Sequence, residues 1–193
     1  MNNCILVISD LHIPFQHRDA FDFLEAVKNE YQPDRIINIG DEVDAHGLSF
    51  HDSDPDLPSA GDELRISREY IADLHDLFPV MDLVHSNHGS LAFRKAKHMG
   101  MPSAYLRPYG EVLGVDKGWK WHEEVLIKAN GFAILFRHQF QANVLKAAEQ
   151  MGCCVVQGHY HSHYEIGYTS SPTNLNWGMT VGCLIDTKSL AME

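Results

Sequence analysis

The feature that most constrains this chain is a repeated unit in which a short apolar run stops at a polar, ligand-type side chain and a helical pattern follows. Residues 4–9 (CILVIS) stop at Asp10, residues 35–40 (RIINIG) at Asp41, and residues 80–85 (VMDLVH) at Ser86, Asn87 and His88. Short runs rich in β-branched residues are expected of strands covered on both faces. Between them, residues 19–31 carry Phe21, Phe23, Leu24 and Val27 at helical spacing until Pro33 forbids continuation, and residues 64–78 read as a second helix. Strand, polar tip and helix in repetition predict an α/β fold whose ligands gather at the carboxyl ends of the strands.

The second half has a different rhythm. Residues 125–128, 132–137, 154–157, 164–169 and 179–184 are expected to be short strands, with one helix at 143–151, and a second sheet packed on the first would accommodate them. Residues 91–98 read as a helix. Residues 45–60, with Asp52, Asp54, Asp56, Pro55 and Pro58, are too polar and proline-broken for regular structure. That stretch is either a solvated acidic connector or one wall of a substrate cleft, with His46, Phe50 and His51 as its contacts. Trp119, Trp121 and Trp177 could serve a core or an interface.

Composition narrows function more than fold. The 193 residues hold 26 Asp and Glu against 15 Lys and Arg, a formal charge of −11. That balance handicaps binding of extended duplex nucleic acid and leaves a small anionic substrate acceptable. Bound divalent cations would offset several of those charges locally. The 13 histidines stand out, because imidazole is the commonest metal ligand and a proton carrier near neutral pH. Cys4, Cys153, Cys154 and Cys183 make poor material for a disulfide framework and fit a reducing cytoplasm. The first residues lack a basic region before their apolar stretch, and no apolar run approaches membrane-spanning length, so a cytoplasmic protein with no membrane segment is expected.

The chemistry concentrates in D10-L-H12, G40-D41-E-V-D44, S86-N87-H88-G89, R137-H138 and G158-H159-Y-H161, each following an expected strand. A single strand-end aspartate is an ordinary turn former, but five such sites at strand ends ask for a common explanation. In an extended segment residues two apart point to the same side, so Asp10 and His12 could reach one ion, and His159 and His161 likewise. Asp41 could bridge two ions with its two oxygens, and Asn87 would add an amide oxygen without charge. Two cations about 3.5–4 Å apart activate a water and stabilise the oxygens of an in-line displacement at phosphorus. Mixed imidazole and carboxylate ligation suits manganese, iron or zinc, and the absence of cysteine from the set argues against a structural zinc site.

Over residues 10–161 this set resembles the calcineurin-like metallophosphoesterase superfamily, whose pattern is D-x-H, G-D-x-x-D, G-N-H followed by an acid, H and G-H-x-H. The resemblance implies one metallophosphoesterase domain over residues 1–193, built as a two-sheet β-sandwich flanked by helices, and two divalent metal ions, manganese first among them. It implies that Asp10, His12, Asp41 and His161 hold one metal while Asp41, Asn87, His138 and His159 hold the other. His88 would lie beside them as general acid or transition-state stabiliser. S86-N-H-G89 departs from the pattern, since Gly89 cannot orient His88 as a carboxylate would. Asp44 is a candidate orienter, a candidate partner for a metal-bound histidine, or a simple turn cap. Arg94 and Lys95 could present a cation to the substrate phosphate, Arg94 being the better candidate, or belong to one solvated helix face, and His46 is a candidate substrate contact.

The expected activity is hydrolysis of a phosphate ester of a nucleotide or a small phosphorylated metabolite. A nuclease is the alternative, with residues 94–109 as its track: Arg94, Lys95, Lys97 and Arg107 with Tyr105 and Tyr109. A non-catalytic metal-binding scaffold is the competing class, and it would have to retain all seven ligand positions. A looser resemblance extends to compact phosphoesterases encoded by bacteriophages.

Overall fold

Alternate side chains of the apolar runs enter different cores, and this decides the layering. A computed structural model describes residues 4–51, 54–172 and 174–188. Strand β1 (Ile5–Ile8) sends Leu6 and Ile8 to one side and Ile5 and Val7 to the other. Strand β2 (Arg35–Asn38) divides Ile36 from Ile37 in the same way, and β3 (Met81–Val84) divides Met81 and Leu83 from Val84. Neither face is left for water, which is why these segments carry no polar alternation.

The first core lies under α1 (Ala20–Tyr31), α2 (Ala60–Leu77) and α4 (Tyr109–Leu113), where Leu24, Ile71, Leu74 and Leu113 meet the strands. The second lies between two sheets. Strands β5 (Val125–Ala129), β6 (Phe132–Phe136) and β7 (Cys154–Gln157) supply Val125, Ile134, Phe136, Cys154 and Val156 to it. A third joins Leu135 and Val155, on the far face of that sheet, to Val144, Ala147 and Ala148 of α5 (Val144–Met151). The order of layers is therefore helices, sheet, sheet, helix.

The first sheet has the order β1-β2-β3-β4 and is parallel throughout, with β4 at Trp119–His122. The second runs β5-β6-β7-β9-β8, mixed in direction, with β8 at Tyr164–Ser170 and β9 at Leu175–Val181. Strand β4 escapes a reading of apolar runs because WKWH alternates and sits at a sheet edge. Its Trp119 is nevertheless core, donating its indole N–H to the Phe78 carbonyl at 2.8 Å. The strand expected at 179–184 begins earlier, at Leu175, and ends at Val181. Its register is set by the long antiparallel pairing with β8.

Residues 45–60 are more ordered than their polarity suggests. A 3-10 turn forms at His46–Leu48, and α2 starts at Ala60 behind the Ser59 N-cap, four residues before the apolar pattern begins. The buried Glu63 carboxylate holds the turn by accepting the amides of His46 and Gly47 at 2.9 and 3.0 Å. Gly47 is required there, because a Cβ would lie 2.7 Å from the backbone of Ala60. Asp52 lies outside the described residues. Helix α3 (Leu91–His98) is tied to this loop by Lys95, whose ammonium donates to the Ser49 carbonyl at 2.7 Å and lies over the Phe50 ring.

Leu83 is fully buried between the parallel sheet and its helices, whereas Val80 is 72% exposed at the strand's entrance. Leu83→Ala should cost about 2–5 kcal/mol of unfolding free energy in a urea titration. Val80→Ala should stay within about 0.5 kcal/mol of the parent.

Candidate metal centre

The strand ends do not run on as extended chain. Asp10, His12, Asp41 and His159 have φ values of 53°, 49°, 53° and 67°, all in the left-handed region that side chains other than glycine rarely occupy. This corrects the strand-alternation argument for D10-x-H12 and H159-x-H161. Asp10 and His12 converge because each turns sharply, and His159 and His161 diverge into different groups for the same reason. Strained backbone of this kind persists only where the surroundings over-determine it, and such surroundings are typical of ligand sites.

Three groups of ligand-type atoms result among the described residues, Asp10 with His12 and His161, Asp41 with His138 and His159, and His12 with Asp44 and His88. Within each group the atoms lie within 4.8 Å of one another. In the first, His161 Nε2 is 3.1 Å from Asp10 Oδ1 and 3.0 Å from His12 Nε2. In the second, His138 Nε2 is 3.2 Å from Asp41 Oδ2 and 2.7 Å from Asn87 Oδ1. Asp41 Oδ2 lies between the two, 3.6 Å from His12 Nε2, and it is buried without a hydrogen bond of acceptable geometry.

The imidazoles are held from behind. His12 donates Nδ1–H to Asp44 Oδ1 at 2.6 Å, and His138 donates Nδ1–H to the Ile39 carbonyl at 2.9 Å. Both partners can only accept, so in the neutral rings the lone pair is at Nε2, aimed into the cluster. That is the arrangement metal-binding histidines adopt. The orphaned carboxylate oxygen, the fixed Nε2 atoms and the amide oxygen of Asn87 fit two borderline divalent ions well.

Small residues hold the carboxylates. Ser9 donates its hydroxyl to Asp10 Oδ2, and the His159 amide donates to the same oxygen at 2.9 Å. Gly158 cannot carry a side chain, because a Cβ would collide with both Ser9 Oγ and Asp10 Oδ2. Ser86 accepts the amides of Asp41 and Gly89 through Oγ at 3.0 and 3.2 Å. Gly40, at φ 105°, is its counterpart, since a Cβ there would lie 2.5 Å from Ser86 Cβ. A reading for ligand types passes over Ser9; its position immediately before Asp10 was the available signal.

His88 lies next to this cluster with its ring edge-on to His12, centroids 4.6 Å apart. Its backbone amide donates to Asp41 Oδ1 at 3.1 Å. Its Nδ1–H donates to the main-chain carbonyl of Asp44, whose carboxylate Oδ1 is 3.4 Å away. Asp44 therefore contacts both histidines, His12 through its carboxylate and His88 through its carbonyl. Asp44 is not a turn cap. Arg94 stands on α3 with its guanidinium over the Phe50 ring at 5.4 Å. His46 turns its Nε2 to the Asp54 amide within its own loop.

Burial opposes ionisation of Asp10 and Asp41, but hydrogen bonds from His12 and His161 hold the first well below the carboxylate range. His138 and His12 hold the second at about 2. Burial would lower His12, yet Asp10 and Asp44 raise it to about 10. The His12 contribution is therefore complete below its ordinary value of 6.5 and is lost as pH rises toward 10. The Asp41 contribution is complete above 3.8 and is lost as pH falls toward 2. Chelator-treated protein should lose melting temperature on going from about pH 6.5 to about pH 10. Protein saturated with manganese should not, because a metal-bound imidazole no longer needs its proton. Scanning calorimetry across that range, with and without chelator, checks both.

No family model matches the chain, and no curated protein matches it. Solved structures do. The Escherichia coli phosphoesterase YfcE is 11% identical, over 96% of this chain and 82% of that one, with a TM-score of 0.52. An archaeal phosphodiesterase is 14% identical over 93% of this chain and 83% of that one, at a TM-score of 0.48. Chaetomium thermophilum Vps29 is 13% identical over 94% and 70%, at 0.45. With its two facing sheets and flanking helices, the chain shares the fold of YfcE.

Proposed function

We propose that the protein is a metal-dependent hydrolase of phosphate esters, acting on a nucleotide or a small phosphorylated metabolite. The observation that carries this reading is the buried Asp41 Oδ2, which makes no well-formed hydrogen bond although it lies 3.2 Å from His138 Nε2 and 3.6 Å from His12 Nε2, between two groups of fixed imidazoles. Asp10, His12, Asp41 and His161 would hold one divalent ion, and Asp41, Asn87, His138 and His159 the other, manganese being the first choice. When bound, two such ions supply an activated water and neutralise charge on the phosphoryl oxygens.

The protein's own side chains do the rest. Asp44 orients His12 and, through its carbonyl, His88. With Nδ1–H committed to that carbonyl, His88 donates from Nε2 only as the imidazolium. It then returns to the neutral Nδ1–H form after giving its proton to the leaving oxygen. The hydrogen bond to Asp44 is kept in both states, so the ring does not turn over during the transfer. Arg94, which lines the same cavity as His88, would have to leave the Phe50 ring to meet a phosphate oxygen.

A nuclease is the second reading, favoured by the fact that Arg94, Arg107 and Tyr109 of the basic track line one cavity with His88. Lys95 is committed to Ser49, and Tyr105 is 79% exposed. Among the described residues no helix is long and apolar enough to cross a membrane, and the four cysteines are free, which supports a cytoplasmic setting.

Metal-stripped protein resupplied with manganese should hydrolyse p-nitrophenyl phosphate, bis-p-nitrophenyl phosphate or a nucleoside monophosphate, and Asp41→Ala should abolish turnover. His88→Ala should lower kcat by roughly 10²–10⁴-fold on esters with poor leaving groups and less on p-nitrophenyl esters, whose leaving oxygen needs little proton help. Preference for single-stranded DNA in the same assay would favour the nuclease. Bound manganese without turnover on any ester would refute the hydrolase.

A further inference from the structure

A cavity of about 950 Å³ opens beside His88 and Asn87 and runs between α2, α3 and α4. It is at the upper end of what small-molecule sites occupy, roughly 300–1,000 Å³. Its walls are mostly apolar, with Leu64, Leu106, Tyr109, Val112 and Leu113 among them. Tyr109 is held in place by its edge-on contact with Trp121, at a centroid distance of 5.5 Å. Asn87 Oδ1 contacts His138 Nε2 at 2.7 Å, so the cavity begins where the ligand cluster ends.

Two polar groups on this wall lack a structural duty. Arg107 makes no hydrogen bond or ion pair among the described residues, in a chain whose formal charge is −11. The other cations on this side are engaged, Lys95 with the Ser49 carbonyl and Arg94 with the Phe50 ring. Glu123 is an exposed carboxylate on the same cavity, whereas the Glu63 carboxylate is used up by the amides of His46 and Gly47. An unpaired guanidinium on an apolar wall favours an anion, and a free carboxylate accepts hydrogen bonds from hydroxyl or amine groups.

We propose that this cavity is the subsite for the organic part of the substrate. It takes a flat, largely apolar group of nucleoside type that carries a second anionic group, received by Arg107. The inference rests on the phosphoesterase reading and adds the substrate class to it. A phosphate held at the cluster would place its ester oxygen beside His88, and the cavity opens next to it to receive the attached group. Selectivity comes from Val112 and Leu106, which touch the organic group, and from Arg107, which reads its charge.

The test compares three phosphomonoesters, methyl phosphate, 1-naphthyl phosphate and adenosine 3′,5′-bisphosphate, in the manganese-loaded parent and in Val112→Trp, Leu106→Trp and Arg107→Ala. Filling the cavity with either tryptophan should lower kcat/KM for the naphthyl and adenosine esters, relative to methyl phosphate, by at least about tenfold. Arg107→Ala should raise KM for the bisphosphate alone. Ratios that stay level in both tryptophan variants, with circular dichroism unchanged, would overturn the assignment. If the parent turns over none of the three esters, the hydrolase reading fails by itself. The cavity is then decided by equilibrium dialysis of adenosine 3′,5′-bisphosphate against metal-free protein. Binding to the parent that weakens at least about tenfold in both tryptophan variants and in Arg107→Ala sustains it. Equal binding in all, or none in the parent, overturns it.

Discussion

Three carboxylates, Asp10, Asp41 and Asp44, are buried to 2% exposure or less within one small volume, and the arrangement around them follows from making that tolerable. A buried charge costs several kcal/mol unless it is paired and hydrogen-bonded. Asp10 is satisfied by Ser9, the His159 amide and His161, and Asp44 by His12. Asp41 satisfies Oδ1 with the His88 amide and leaves Oδ2 short of a proper donor. A fold that only needed stability would have removed that oxygen. Its retention between two sets of imidazole nitrogens makes sense where a cation completes the electrostatics.

The scaffold can hold such a cluster because two sheets bring their carboxyl ends to one place. Asp10, Asp41, Asn87 and His88 follow strands of the parallel sheet, while His138, His159 and His161 follow β6 and β7 of the second. Beyond the apolar core between the sheets, the halves are joined at the site by short polar links: His138 reaches across to the Ile39 carbonyl, and the His159 amide to Asp10. Space is as tightly specified as charge. Gly40 makes room for Ser86, and Gly158 for Ser9 and Asp10, so the serines that position the carboxylates are allowed only by the glycines opposite them.

How much of this was readable beforehand depends on the range of the interaction. β1, β2 and β3 were legible because burial on both faces leaves an unbroken apolar run, and the residues of the cluster were legible because each stands at the end of one. The fourth strand was not, since Trp119–His122 alternates polar and apolar side chains and is recognisable only from its pairing with β3. The convergence of Asp10 with His12 was anticipated for the wrong reason: left-handed turns, not strand alternation, aim them. The order in residues 45–60 was hidden because it depends on Glu63, a buried acid whose partners are backbone amides with no sequence signature. The cavity was equally hidden, being assembled from α2, α3 and α4 by tertiary packing alone.

Asp44 shows how a histidine can be held without an acid next to it in sequence. The residue after His88 is Gly89, and a side chain there would approach Ser86 Oγ to 3.1 Å. Ser86 is already committed to the amides of Asp41 and Gly89, so an acid at 89 would disturb the residue that positions Asp41. The orienting duty passes instead to Asp44, which uses its carboxylate for His12 and its carbonyl for His88. One residue thus fixes the direction of two rings, His12 through its side chain and His88 through its main chain, with the same carboxylate 3.4 Å from His88 Nδ1.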